Sequence, residues 1–210
     1  MAGMAGIMSE TGTAKDVGKM LKKIRHRGTD DTLVRRTSLG AVGYVGNYSV
    51  SQKSIGFSGG KWPLVLMDGF LVRDDAKKQE LSDADYVKEL YAEHGKKAFS
   101  MLLGSFSGVV ADDRECVIFR DSVGAHPVVY HAEGGTLVFS SEGKSLTKYA
   151  DSVEELEPGH YYSTEEGLKS FPQAEAKNVP SYSSVDEAVR AVRDMVVEAV
   201  EQAMSHGDVR

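Results

Sequence analysis

Four groups of residues in this 210-residue chain have types and spacing that suggest chemistry. Gly56-Phe57-Ser58-Gly59-Gly60 carries the letters of a nucleophile elbow, but that turn needs a helix directly behind it, and Lys61-Trp62-Pro63 leads into a strand instead. A glycine-rich hairpin loop accounts for it better. His131-Ala132-Glu133 is half of a zinc-deaminase signature, yet no Pro-Cys-x-x-Cys exists to complete it, and the six histidines show no ligand spacing, so no metal site is expected. Cys116, the only thiol, has Val117 and Ile118 beside it in a predicted strand, where a cysteine packs rather than attacks. Lys19, Lys22, Lys23, Arg25 and Arg27 are a possible phosphate patch, but in a chain of net charge -6 they read as the solvated face of a helix.

The segment Met1-Ala2-Gly3-Met4-Ala5-Gly6-Ile7-Met8 is more informative. Small residues alternating with Met and Ile predict a buried strand that starts almost at the amino terminus, so residue 2 is held in a core rather than frayed. A helix is expected from about Thr13 to Arg25, with Thr13 as cap and Val17, Met20, Leu21 and Ile24 on one face. Strands are expected at Ser38–Tyr44, Ser54–Phe57 and Pro63–Met67, the last resuming at Phe70-Leu71-Val72. Ser82 caps a second helix, Asp83 to His94, and one or two further turns follow at Lys97–Leu102. Phe106–Ala111, Glu115–Phe119, Val128–His131 and Thr136–Ser140 are strands separated by turn chemistry. Two groups of sequential strands with helices between the groups predict an α+β fold with two antiparallel sheets.

Composition bounds the function. The acidic balance speaks against a nucleic-acid partner, and 22 glycines suit a turn-rich β architecture. A single cysteine, no signal peptide and no long apolar run predict a cytoplasmic protein without a membrane partner. Phe171–Ser184, rich in Pro, Ser and Ala, reads as a linker, and Val185–Ser205 as a helix with an apolar stripe that it cannot bury alone.

The order of motifs then carries a resemblance. Met1 to Ile7, Arg25-His26-Arg27-Gly28-Thr29-Asp30-Asp31, Asp68-Gly69, Ser82-Asp83, Arg120-Asp121-Ser122-Val123-Gly124-Ala125-His126-Pro127, Leu137 to Glu142 and Leu156-Glu157-Pro158-Gly159-His160 together resemble the glutaminase domain of the asparagine synthetase family. These are class II, amino-terminal-nucleophile glutamine amidotransferases. The resemblance implies a four-layer αββα sandwich over residues 1–165, a linker at 166–184, and at 185–210 a helix leading toward a synthetase domain beyond the chain. It also implies glutamine hydrolysis by a cysteine at position 2, an oxyanion held by an Asn and the Gly after it, an Arg for the substrate carboxylate and an Asp for its amine. No cofactor is implied here; ATP and Mg belong to the synthetase half. Glutamine or a related small amide, that half and a second copy are the partners it suggests.

Four positions depart from the family pattern. Ala2 has no sulfur, so covalent catalysis is impossible in the chain as written. Asp68 stands at the oxyanion Asn, where a carboxylate repels instead of donating. Ala41 to Asn47 holds no cation, so Gly43, Tyr44 and Val45 occupy the carboxylate-binding stretch without its Arg. Phe70-Leu71-Val72-Arg73 replaces an acidic and aromatic segment. Gly69 and Asp83 are carried over unchanged, and Tyr44, Asp68, Arg73 and Asp83 are the positions at which to seek a ligand. A degenerate glutaminase-like domain that scaffolds or regulates an ATP-dependent half is the reading expected from several losses together. The alternatives are a Cys-to-Ala substitution in an enzyme active on glutamine or another amide, and a stand-alone interaction module.

Overall fold

The computed structural model describes residues 2–47, 63–73, 81–172 and 181–205. The strand expected at 54–57, the loop at 56–60 and much of the 171–184 stretch lie outside these residues. In chain order the elements are β1 (Gly3–Met8), α1 (Ala14–Lys23), β2 (Asp31–Thr37), β3 (Gly40–Gly46), β4 (Leu64–Leu71), α2 (Asp83–His94), β5 (Gly104–Ala111), β6 (Cys116–Arg120), β7 (Val129–Glu133), β8 (Thr136–Ser140), β9 (Glu154–Glu155), β10 (His160–Ser163), β11 (Gly167–Ser170) and α3 (Val185–Ser205).

Period-2 alternation builds the layers. Along β1 the inward residues Met4 and Met8 meet Leu64 and Leu66 of β4, Val109 of β5 and Ile118 of β6 in a core between two sheets. The outward residues Ala5 and Ile7 pack under α1, against Val17, Met20, Leu21 and Ile24. On the far side Val65 and Met67 of β4 and Phe119 of β6 pack under α2, against Ala84 and Val87. Three apolar layers between four layers of structure make the αββα sandwich, and both sheets are antiparallel. Helix caps agree with the sequence: Thr13 Oγ1 accepts from Asp16 N at 3.2 Å, and Ser82 Oγ accepts from Asp85 N at 3.1 Å.

Strand pairing departs from the expected grouping. One sheet runs β2-β3-β1-β8-β7-β9 and the other β11-β10-β6-β5-β4, so each sheet draws strands from both sides of α2. Alternation tells which face of a strand is apolar but not which strand lies beside it, and the first strand completes its sheet only when β8 arrives. The run read as two pieces around Asp68-Gly69 is one continuous strand, β4, paired residue for residue with β5. β2 was not predicted, because its charged Arg35-Arg36 obscures the apolar pair Leu33 and Val34. β11 lies inside the stretch read as linker from 166: it forms a hairpin with β10, held by a backbone ladder that its small and charged side chains do not advertise. α3 forms as its periodicity predicts, and Val185, Val189, Val192, Met195, Val196 and Val200 on it are exposed. No helix among the described residues is long and apolar enough to cross a membrane.

Candidate active site

Ala2 continues the alternation of β1, so it enters the layer between the sheets together with Met4 and Met8. Asp68 follows Leu64 and Leu66 on the inward face of β4 and enters the same layer from the opposite sheet. Both residues have no exposed surface. Ala2 N donates to Asp68 Oδ1 at 2.7 Å, which ties the start of β1 to the facing sheet.

Arg27, on the 3-10 turn Arg25–Arg27 behind α1, closes the space around this contact. Its Nε donates to the Ala2 carbonyl at 2.6 Å, its Nη2 to Asp68 Oδ2 at 2.9 Å and its Nη1 to Glu142 Oε1 at 3.2 Å. His126 Nδ1 stands 3.3 Å from Asp68 Oδ2. At the rim, His26 Nε2 lies 2.8 Å from Glu142 Oε1 and Lys144 Nζ 2.8 Å from Glu142 Oε2. The guanidinium therefore spans a fully buried carboxylate and a partly exposed one.

Burial by itself pushes the Asp68 carboxyl up. The contacts with His126, the Ala2 N–H and the Arg27 charge outweigh that and hold it below the ordinary carboxylate value. Glu142 is also held low, against the effect of its partial burial, by Lys144, Arg27 and His26. Asp68 is consequently a charged acceptor with no proton to donate. It is the wrong partner for a developing oxyanion.

Gly69 is confined to glycine by its backbone: φ is +114°, and a Cβ there would stand 2.0 Å from the carbonyl oxygen of Ser105. Gly95 also has a positive φ, +59°, but open space around it. Both Gly69→Ala and Gly95→Ala incur the roughly 1–3 kcal/mol typical of a strained backbone position, and Gly69→Ala is expected to cost more because only there does the added Cβ also collide with a backbone carbonyl. Urea midpoints of the two variants measure the difference. Equal midpoints would show that β4 and β5 separate at no cost.

The other residues singled out from the sequence take structural places. Gly43 faces α1, where a Cβ would meet Leu21 Cδ1 at 2.6 Å and Val17 Cγ1 at 2.8 Å, so the absence of a side chain permits helix-on-sheet packing. Val45 lies in the same outer layer, and Tyr44 is buried in the layer between the sheets. Asp83 is fully buried at the start of α2; Arg73 Nη2 donates to its Oδ1 at 2.7 Å and Leu71 N to its Oδ2 at 3.0 Å. The Arg73 guanidinium also lies 5.3 Å from the Tyr86 ring centroid. This pair anchors α2 to the end of β4.

The residues linked to the Ala2–Asp68 contact, namely Arg27 and His126 directly and Glu142 and His26 through Arg27, lie inside the family motifs recognised in the sequence, but nothing in their spacing assigns them to one cluster. Cys116, the only thiol, is fully buried on β6, and burial with Glu115 nearby pushes its pKa far up, so it is not poised as a nucleophile.

This sandwich, with its first strand central in one sheet and residue 2 facing the other sheet, is the amino-terminal-nucleophile architecture of class II amidotransferases. The glutamine phosphoribosylpyrophosphate amidotransferase of B. subtilis shares it, with a TM-score of 0.63 at 20% identity over 84% of this chain and 50% of that one. Residues 66–193 match the family model of the glutamine amidotransferase domain, and the chain belongs to that family. Among curated proteins it is similar to the glutamine-hydrolysing asparagine synthetase of Brassica oleracea, 28% identical over a 187-position alignment that covers 78% of this chain and 32% of that protein. It is likewise similar to the probable asparagine synthetase of Schizosaccharomyces pombe, 28% identical over a 199-position alignment that covers 77% of this chain and 33% of that one. The chain thus spans about a third of the length of these relatives.

Proposed function

We propose that this is a class II glutamine amidotransferase domain that does not hydrolyse glutamine, and that it serves as a scaffold or regulatory module for an ATP-dependent amidotransferase half. The observation that carries the reading is the Ala2–Asp68–Arg27 contact. Where the reaction needs a thiol, there is a methyl group; where it needs donors for an oxyanion, a buried carboxylate already accepts from Ala2 N and Arg27. A synthetase half joined to such a domain takes free ammonia or another amine from solution.

Two measurements test this. The chain is expected to release no ammonia from glutamine above the uncatalysed rate, and its mass is expected to stay unchanged after incubation with an electrophilic glutamine analogue. The full-length protein is expected to incorporate nitrogen from ammonium in an ATP-dependent reaction and not from glutamine. Glutamine-dependent turnover by either would overturn the proposal.

A further inference from the structure

The strand that closes one edge of the first sheet has a charge pattern complementary to itself. β2 is the terminal strand of the order β2-β3-β1-β8-β7-β9 and pairs only with β3 among the described strands. From Asp30 it reads Asp30-Asp31-Thr32-Leu33-Val34-Arg35-Arg36: two carboxylates, three uncharged residues, two guanidiniums. Asp30, Arg35 and Arg36 are exposed, and Asp31, Leu33 and Val34 are half-buried. We propose that β2 pairs antiparallel with β2 of a second copy, centred on Leu33, and joins the two six-stranded sheets into one of twelve strands.

Strand geometry restricts the registers. Successive residues of a strand turn their N–H and C=O groups to opposite edges, so in a symmetric antiparallel pair two opposed residues must have the same parity along the chain. A twofold pair is therefore centred on a residue, not between two. Centring on Leu33 sets Asp30 opposite Arg36 of the second copy, Asp31 opposite Arg35, Thr32 opposite Val34, and Leu33 opposite itself. Centring on Val34 sets both arginines against uncharged residues, and centring on Arg35 sets like charges together. Only the Leu33 register pairs all four charges of each copy.

Both faces of the joined strands then match. Directly opposed residues project to the same face of a sheet. Leu33 packs with the layer between the sheets and Val34 with the layer under α1, so each face gains an apolar contact flanked by ion pairs. Charges on edge strands usually act to prevent pairing. Here in-register parallel pairing opposes Asp to Asp and Arg to Arg, whereas antiparallel pairing centred on Leu33 opposes no like charges. A seven-residue edge is a small interface beside the ~1,200–2,000 Å² of stable complexes, so association should depend on concentration and weaken with salt.

Sedimentation equilibrium on the full chain tests the register. The average mass is expected to rise toward twice 22.8 kDa as concentration increases at low salt. Asp30→Lys/Asp31→Lys and Arg35→Glu/Arg36→Glu are each expected to stay monomeric. Mixed one to one, they are expected to form the heterodimer, and combining all four changes in one chain is expected to restore self-association. The mixture and the fourfold variant also guard against a loss of association caused by misfolding. A wild-type chain that stays monomeric at its highest attainable concentration would overturn the proposal, as would double variants that self-associate like the wild type. A mixture or fourfold variant that remains monomeric while circular dichroism shows it folded would do the same.

Discussion

Introducing a cysteine at position 2 is expected to leave this domain nearly inactive, and Ala2→Cys/Asp68→Asn is expected to exceed Ala2→Cys in ammonia release by about 10²–10³ in kcat. The reason lies in the contact that the Ala2 nitrogen makes. Asp68 Oδ1 takes that nitrogen at 2.7 Å, and the same carboxylate holds the Arg27 guanidinium against the start of β1. A thiol introduced beside a buried negative charge has its thiolate disfavoured, and the tetrahedral intermediate formed from it would face a second anion. Asparagine removes the charge and provides an N–H, while Gly69 already has the backbone that only glycine allows there. Affinity should remain poor in both variants, because no cation occupies residues 41–47 to hold a substrate carboxylate. The test is steady-state ammonia production from saturating glutamine by the two variants side by side. If the single variant turns over as fast as the double, Asp68 does not block the chemistry.

Residues that act through local chemistry were legible in the sequence, and those that act through long-range convergence were not. Thr13 and Ser82 announce their helices because a cap and the N–H that donates to it are three residues apart, and the turn at Glu133-Gly134-Gly135 announces the hairpin of β7 and β8. The buried strand at the amino terminus was legible for the same reason, since alternation needs only eight residues. The cluster around Ala2 was not. Arg27, Asp68, His126 and Glu142 come from a 3-10 turn, a strand of the opposite sheet and two later segments, and their separations in sequence carry no period. Gly43 has a packing role that its motif does not announce. Its place after Leu39-Gly40 marked it as a substrate position, but its side of β3 belongs to α1, and the packing of Val17 and Leu21 decides what can stand there. Motif order thus located the site's strands, while the side chains that fill it required the fold.

The Arg27–Asp68 pair is expected to be worth more to stability than any exposed ion pair in the chain, and to show it asymmetrically. Arg27→Met leaves the Asp68 carboxylate in a fully buried layer without its guanidinium and should cost about 3–5 kcal/mol, whereas Arg27→Met/Asp68→Leu removes both charges and should recover most of that loss. The pH dependence gives the sign. In the native protein the carboxyl of Asp68 is held below its unfolded value, so its contribution is fully present above that unfolded value, about 3.9, and is lost as pH falls through the lower folded value. In Arg27→Met the raising effect of burial is less opposed, and the shift should move upward, so protonation in mild acid relieves the variant. The stability gap between wild type and Arg27→Met should therefore be widest near neutral pH and narrow below about pH 4. Urea denaturation at a series of pH values measures the gap directly. A gap that stays constant from neutral to acid would mean that Arg27 stabilises through packing against Ala2 and not through the Asp68 charge. The buried ion pair would then be a bystander to the closure of the site.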